Sequence, residues 1–453
     1  MSVERPQSLA TRRSGTPFRL SGRLALALSL AFGGASAVQA QSLMELYEAA
    51  KGYDATYLAS RSLADSVQYK VEQSKALERP SASLTAGASR VNSEGTAPTS
   101  NTTNAQVGVQ GSYALFNRNN AVTVQQALKQ LDLAKAQLAT AEQDLIVRVA
   151  QAYFDVLAAQ DVLATTRTSK AATTEQLASA KRNFEVGTAT ITDTREAQAR
   201  FDIGTADEIA AENDLRSKRI ALDQLVGRTG VTPKPLLVPV ALPPVIPADP
   251  EAWVTNADAQ HPGIMQARIA YDVAKLEIDR ARAANLPTVG LTGGYSRARA
   301  DSNLPSLNGN KNDLSIGIQL SMPLFTGYAT QNRIKEVLVL EDKARNDLEA
   351  ARRLVWQGTR QAYFGVVSGQ ARVKALEAAE SSTKLALEAT QLGYKVGVRV
   401  NLDVLNSQTQ LFQTQRDLAK VRYDVLVGGL KLRQAAGQLS PDDVAALNRL
   451  IAP

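Results

Sequence analysis

The sequence has no cysteine and a single histidine, His261. Without cysteine there is no disulfide framework, and no cysteine at which a lipid could anchor the chain after export. One histidine leaves no histidine cluster for a metal and no serine–histidine catalytic frame, and no phosphate-binding glycine loop is present. The inventory argues against an enzyme, and no cofactor is expected. His261 stands before Pro262 and reads as a helix start, while Trp253 and Trp356 read as packing residues. Beyond residue 40 no uncharged apolar run approaches the roughly 20 residues that a membrane-spanning helix needs. If this chain crosses a membrane, it must use strands.

What is present belongs to an ordered protein: 453 residues, 44% hydrophobic and 21% charged. The first 40 residues carry Arg5, Arg12, Arg13, Arg19 and Arg23, an apolar run from Leu24 to Phe32, and small residues ending in Val38-Gln39-Ala40. That order predicts a secretory signal peptide cleaved after Ala40. The leader holds five arginines against Glu4, so the formal +7 (51 basic, 44 acidic) falls to +3 (46 against 43) for residues 41–453. The remaining basic residues are interspersed with acidic ones along helix-like stretches, without aromatic stacking groups, so nucleic acid is not an expected partner.

The chain repeats itself at an offset of about 210. Gln151-Ala-Tyr-Phe154 matches Gln361-Ala-Tyr-Phe364, and Gly187, Asp193 and Gly227 match Gly397, Asp403 and Gly437. With small gaps, Pro80 matches Pro287 and Leu115-Phe116 matches Leu324-Phe325. One design is used twice, over 41–230 and 251–440. A proline-punctuated linker at 231–250 lies between, and a tail follows at 441–453.

Each repeat reads as helix, strand, strand, long helix, medium helix. The first helix spans about 43–78 and stops before Pro80. Strands are predicted at about 81–91, 105–116, 288–298 and 313–324, each near the 9–11 residues with which a tilted strand crosses a bilayer. In 314–322 every second residue is apolar: Leu314, Ile316, Ile318, Leu320 and Met322. Alternation alone fits a half-buried sandwich strand equally well. The polar, turn-rich segments 94–104 and 299–310 favour outer loops of a barrel. Four strands cannot close such a barrel, because open edges would leave backbone groups unpaired in lipid, so several protomers are expected to contribute.

Long helices are predicted at 118–184 and 328–394, each about 100 Å at 1.5 Å per residue. Leu131, Ala134, Leu138, Ala141 and Leu145 step by three and four, as on a coiled-coil seam. A plain dimeric coiled coil would explain that seam, but neither the strands nor the duplication. Gly187 and Gly397 serve as helix stops, so each long helix turns back as a hairpin at tips 185–193 and 395–403.

The tip stretches Asn183-Phe-Glu-Val-Gly-Thr-Ala-Thr-Ile-Thr-Asp193 and Gly393-Tyr-Lys-Val-Gly-Val-Arg-Val-Asn-Leu-Asp-Val-Leu405, within the duplicated frame, resemble the TolC outer-membrane channel-tunnel family, from about Leu43 to Leu439. The resemblance implies an α+β membrane protein of the outer membrane. It implies a homotrimer with one 12-stranded β-barrel, a long α-helical barrel across the periplasm and a mixed belt around it. It further implies passive conduction of drugs, other small molecules or unfolded proteins, with a periplasmic adaptor and an inner-membrane pump of RND or ABC type as partners.

It also implies a constriction at the periplasmic end. Tyr394 and Arg399 are expected to meet Thr192 and Asp193, a charge-assisted contact of about 1 kcal/mol per protomer at a partly exposed tip. Asp403 matches an acidic position lining the narrow end, where three copies would form a cation-attracting ring. Asn406 stands where the family can carry a second acidic residue, which weakens the expected selectivity. Val186, Gly187, Thr188, Val396, Gly397 and Val398 match the adaptor-docking positions. The competing reading is a periplasmic adaptor, which should show one hairpin flanked by lipoyl-like and barrel sequence rather than a hairpin in each half.

Overall fold

The computed structural model describes residues 40–94, 99–237, 240 and 242–452. The predicted signal peptide, except for Ala40, lies outside the described residues. After it the chain forms α1 (Leu43–Tyr53) and α2 (Ala55–Lys75), where one helix was expected. The break is Asp54, whose carboxylate accepts from the backbone N–H of Tyr57 at 2.8 Å and so caps a new helix. Arg148 holds that carboxylate with two hydrogen bonds of 2.8 and 3.0 Å.

Four antiparallel strands pair in sequence order: β1 (Ser81–Ser93), β2 (Ser100–Phe116), β3 (Thr288–Ser302) and β4 (Gly309–Ser321). All four run further towards the hairpin turns than expected, so Ser100–Asn104, Arg299–Ser302 and Gly309–Asn310 are strand rather than loop. β4 ends before position 324 because Pro323 has no N–H to donate to a ladder.

Register divides the sheet into two chemically distinct faces. Leu84, Val109, Tyr295 and Leu314 align across the four strands, and Val289, Leu291, Ile316, Ile318 and Leu320 extend the same face. The opposite face carries Ser83, Thr85, Gln106, Gln110, Ser112, Thr292, Ser315 and Gln319. Among the described residues nothing buries the apolar face: Leu314 and Ile316 are each 84% exposed. A sandwich strand would bury that face, so the sandwich alternative is set aside. Tyr295 lies towards one margin of the band, while Phe116, Phe325 and Tyr328 are exposed at the other, where strands give way to helices. Aromatic margins of this kind border membrane barrels.

Helices continue the sheet's order. Of the long helices α3 (Arg118–Glu185) and α7 (Ala329–Lys395), the first packs between α2 and α6 (Pro262–Ala283), and α6 packs in turn on α7. The row is stitched by Lys129 to Asp272 at 3.0 Å, Gln126 to Glu277 at 2.9 Å and Arg333 to Glu277 at 2.7 Å. Of the expected α3 seam, Ala134 and Leu145 are buried and the other three are half-buried, because α3 faces several helices rather than one coiled-coil partner. Further from the sheet, α4 (Ile191–Val226) packs on α3 and α8 (Asn401–Ala435) on both α3 and α7.

The core sits around the middle of α3, where α1, the ends of α4 and α8, and α9 (Pro441–Asn448) bury Leu43, Tyr47, Tyr153, Phe154, Leu222 and Leu430. The C-terminal segment, expected as a tail, is thus part of the packing. In each repeat the tyrosine of the Gln-Ala-Tyr-Phe motif binds the linker: Tyr153 Oη donates to the carbonyl of Lys234 at 2.8 Å, and Tyr363 Oη to that of Ala248. Trp253, on α5 (Pro250–Gln260), is buried and donates to the Pro247 carbonyl at 2.9 Å. His261 caps α6, its Nδ1 accepting from the N–H of Gly263 at 3.0 Å.

Candidate gate at the hairpin tips

Both long helices end in the same turn. Gly187 and Gly397 take φ of 78°, in the left-handed region that glycine enters at least cost. Val186 and Val396 close on the carbonyls of Arg182 and Leu392, and Thr188 and Val398 on those of Asn183 and Gly393, with equal bond lengths in the two tips. Val186, Val396 and Val398 are exposed, and Gly187, Thr188 and Gly397 lie beside them at the extreme ends. The adaptor-docking candidates therefore form two small apolar points per chain.

One substitution separates the tips chemically. In the first, Thr190 caps α4: its Oγ1 accepts from the N–H of Asp193 at 3.2 Å, and the Asp193 carboxylate accepts from Thr190 N–H at 3.0 Å and Oγ1 at 2.7 Å. Val400 occupies that place in the second tip and has nothing to offer, so Asp403 is free of capping and pairs with Arg399 at 3.6 Å. The expected meeting of Arg399 with Asp193 is therefore absent within one chain, because each charge is engaged on its own hairpin. Thr192 is exposed and meets neither.

Other residues join the hairpins. Asn183 Nδ2 donates to Tyr394 Oη at 3.1 Å, so Tyr394 does reach the first hairpin, but through Asn183. Asn401, only 2% exposed, accepts from Gln176 and donates to the Asp193 backbone carbonyl at 3.5 Å. Arg200 on α4 donates to Asn406 Oδ1 on α8 at 3.0 Å. Under these polar links Leu177, Ala180, Ala197 and Leu405 form a small apolar cluster.

Gln176, Asn183, Arg200 and Asn401 were not singled out from sequence. Asn401 had a detectable signal, since its repeat counterpart is Ile191. A polar residue that replaces an apolar one at a matched position asks for a partner when buried.

Residues 46–228 and 253–438 match the family model described as outer membrane efflux protein, one stretch per structural repeat. The chain belongs to the outer membrane efflux protein family. Among its relatives, it is 36% identical to the outer membrane protein TolC of Vibrio cholerae over 94% of this chain and 97% of that one. It is 32% identical to the alkaline protease secretion protein AprF of Pseudomonas aeruginosa, over 73% and 69%. The solved structure of the outer membrane protein VceC from Vibrio cholerae superposes with a TM-score of 0.76 at 18% identity, over 87% of this chain and 96% of that one.

As a member of the outer membrane efflux protein family, the chain is an outer-membrane protein. The uncovered apolar face of its sheet is the part suited to lipid, and among the described residues no helix is long and apolar enough to cross a membrane. Nothing supports the adaptor alternative: there are two hairpins, one per repeat, and the family match spans both.

Proposed function

We propose that this chain is one protomer of a homotrimeric exit duct, in which three four-stranded sheets close a 12-stranded barrel and the helices extend it into the periplasm. The observation that carries this reading is the open sheet with one uncovered apolar face. An unpaired strand edge in hydrocarbon costs several kcal/mol per orphaned group, which β1 and β4 avoid by pairing with other copies. The helical row asks for the same solution. Ile203, Ile209 and Ile220 on α4, and Val339, Leu354 and Phe364 on α7, are exposed. Phe154, the repeat counterpart of Phe364, is 1% exposed and packs on Tyr423 of α8, whereas Phe364 is 58% exposed. A neighbouring copy would cover Phe364 in the same manner.

Conduction in this reading is passive and is driven by an inner-membrane pump of RND or ABC type reached through a periplasmic adaptor at the tips. Asp403 with Arg399, Tyr394 with Asn183, and Asn406 with Arg200 form the gate, Thr192 and Asp193 being the surface offered to a neighbouring copy. AprF is named for alkaline protease secretion, and membership of the outer membrane efflux protein family also fits efflux of small molecules. Deletion of the gene, scored for antibiotic sensitivity and for loss of secreted proteins, separates the two cargo classes. Native mass spectrometry of the detergent-purified protein should give three copies, and planar bilayers should show discrete conductance steps. A monomer without conductance overturns the reading.

A further inference from the structure

Above the apolar band, at the hairpin end of the sheet, the outward face becomes basic. The row after Leu84, Val109, Tyr295 and Leu314 is Ala86, Val107, Arg297 and Asn312. The next is Ala88, Ala105, Arg299 and Asn310, and beyond it Arg90 aligns with Thr103 and Asp301. Side chains alternate between faces along a strand, so Arg90, Arg297 and Arg299 share the face that carries the apolar band. Among the described strand residues, Asp301 is the only carboxylate on this part of the face. It pairs with Arg299 at 3.0 Å, while Arg90 and Arg297 make no ion pair among the described residues, and all three arginines are exposed.

Among the described residues the α-helices join the sheet at its other end, so the arginine rows lie at the exterior side of the membrane if those helices are periplasmic. Around the arginines Ala86, Ala88 and Ala105 form a shelf of methyl groups. By strand spacing and rise, Arg90 and Arg299 lie about 12 Å apart, and each side chain is long enough to sweep much of that distance. Guanidinium groups set just past an apolar band, two of the three without a carboxylate partner among the described residues, match an anionic headgroup whose acyl chains lie along that band.

We propose that Arg90, Arg297 and Arg299 bind the phosphate groups of a phosphorylated glycolipid of the outer leaflet, lipid A chemistry, with the sugar over the alanine shelf and the acyl chains against Val109, Tyr295 and Leu314. The proposal rests on the outer-membrane barrel reading above. Arginine is suited to the task because its planar fork binds phosphate oxygens in pairs and its charge persists in a partly apolar setting.

The test uses full-length protein in detergent, with lipid A and chemically dephosphorylated lipid A as probes, and native mass spectrometry and thermal midpoint as readouts. Lipid A should bind and raise the midpoint, and the dephosphorylated lipid should do so at least tenfold more weakly. Arg297→Gln with Arg299→Gln, and the triple variant adding Arg90→Gln, should lose the response to lipid A. Lys311→Gln, at the same height on the opposite face, should keep it. Equal binding of both lipids, or an unchanged response in the arginine variants, overturns the proposal. Conductance and copy number, measured on the same samples, report separately on the barrel.

Discussion

Arg399 lies across Gly393 at the second hairpin tip, its Cγ 2.8 Å from the point that a Cβ on residue 393 would occupy. The first tip reverses the sizes, with Asn183 in the place of Gly393 and Ala189 in the place of Arg399. Gly393 is what allows the arginine stem to fold back and its head to reach Asp403. Gly393→Ala should therefore displace Arg399 while leaving the fold intact, since alanine favours the helix by up to about 1 kcal/mol and the displaced side chain is flexible. The expected outcome is an unchanged melting midpoint within a few degrees and a higher single-channel conductance in planar bilayers.

Tyr394→Phe removes the acceptor for Asn183, and Arg399→Ser removes the partner of Asp403. Both contacts are exposed or half-exposed and each is worth no more than about 1 kcal/mol. The double variant should raise conductance and shift the channel towards longer open times, without lowering the amount of assembled protein. Unchanged conductance in both this variant and Gly393→Ala would remove the gate from the tips.

Arg200 modifies what the acid at position 403 can do. It donates to Asn406, one turn beyond Asp403, and so places a positive charge beside the proposed ring. Asn406→Asp should add little cation selectivity, because the new carboxylate meets Arg200 in a charge-assisted hydrogen bond. Adding Arg200→Ala should release it. Reversal potentials across a salt gradient should move clearly towards cations only in the double variant.

How far the chain could be read without coordinates depended on the kind of signal. The repeat, the four strands and both hairpins carried period, proline and glycine markers whose meaning is local. Polar Ser100–Asn104 read as loop because beyond the apolar band no alternation is required, and the β2 ladder there is held by backbone pairing with a polar side-chain link, Thr102 Oγ1 to Ser302 Oγ at 3.0 Å. Tyr153 and Tyr363 were visible as a repeated motif, but their linker carbonyl partners carry no side-chain signature. At the tips, Asp193 and Asp403 looked equivalent. The difference lies in Thr190 against Val400, a capping distinction that only geometry turns into two separate charge partners.

The repeat glycines should differ sharply on substitution. Gly397 has φ of 78° with nothing near an added Cβ, so Gly397→Ala should cost about 1–2 kcal/mol for left-handed backbone alone. Gly437 has φ of 71°, and a Cβ there would stand 2.5 Å from His261 Cα, a backbone atom that cannot rotate aside. Gly437→Ala should cost about 3 kcal/mol or more and lower the yield of folded protein. Circular dichroism melts of the two variants should rank accordingly, and equal midpoints would contradict the close packing of α8's end on α6.

Two carboxylates should drive stability with pH in opposite directions. The hydrogen bonds from Arg148, aided by the Tyr57 N–H, hold Asp54 below its ordinary range. Its contribution is therefore complete above the unfolded value of about 3.9 and disappears as pH falls through the lower folded value. Burial raises Asp161, although the Tyr423 hydroxyl donating at 2.6 Å and the Arg422 charge both oppose the shift. A carboxyl with a raised folded value stabilises below the unfolded value, and that part is lost as pH rises through the folded one. Asp54→Asn should thus lose about 2 kcal/mol at pH 7, with the deficit narrowing only below about pH 4. Asp161→Asn keeps an acceptor for Tyr423 and sheds a partly desolvated charge. Its midpoint should match or exceed the parent at pH 7, with the advantage shrinking towards pH 4.5. An Asp161→Asn deficit that is largest at pH 7 would show that the ionised carboxylate, rather than its hydrogen bond, holds α3 to α8.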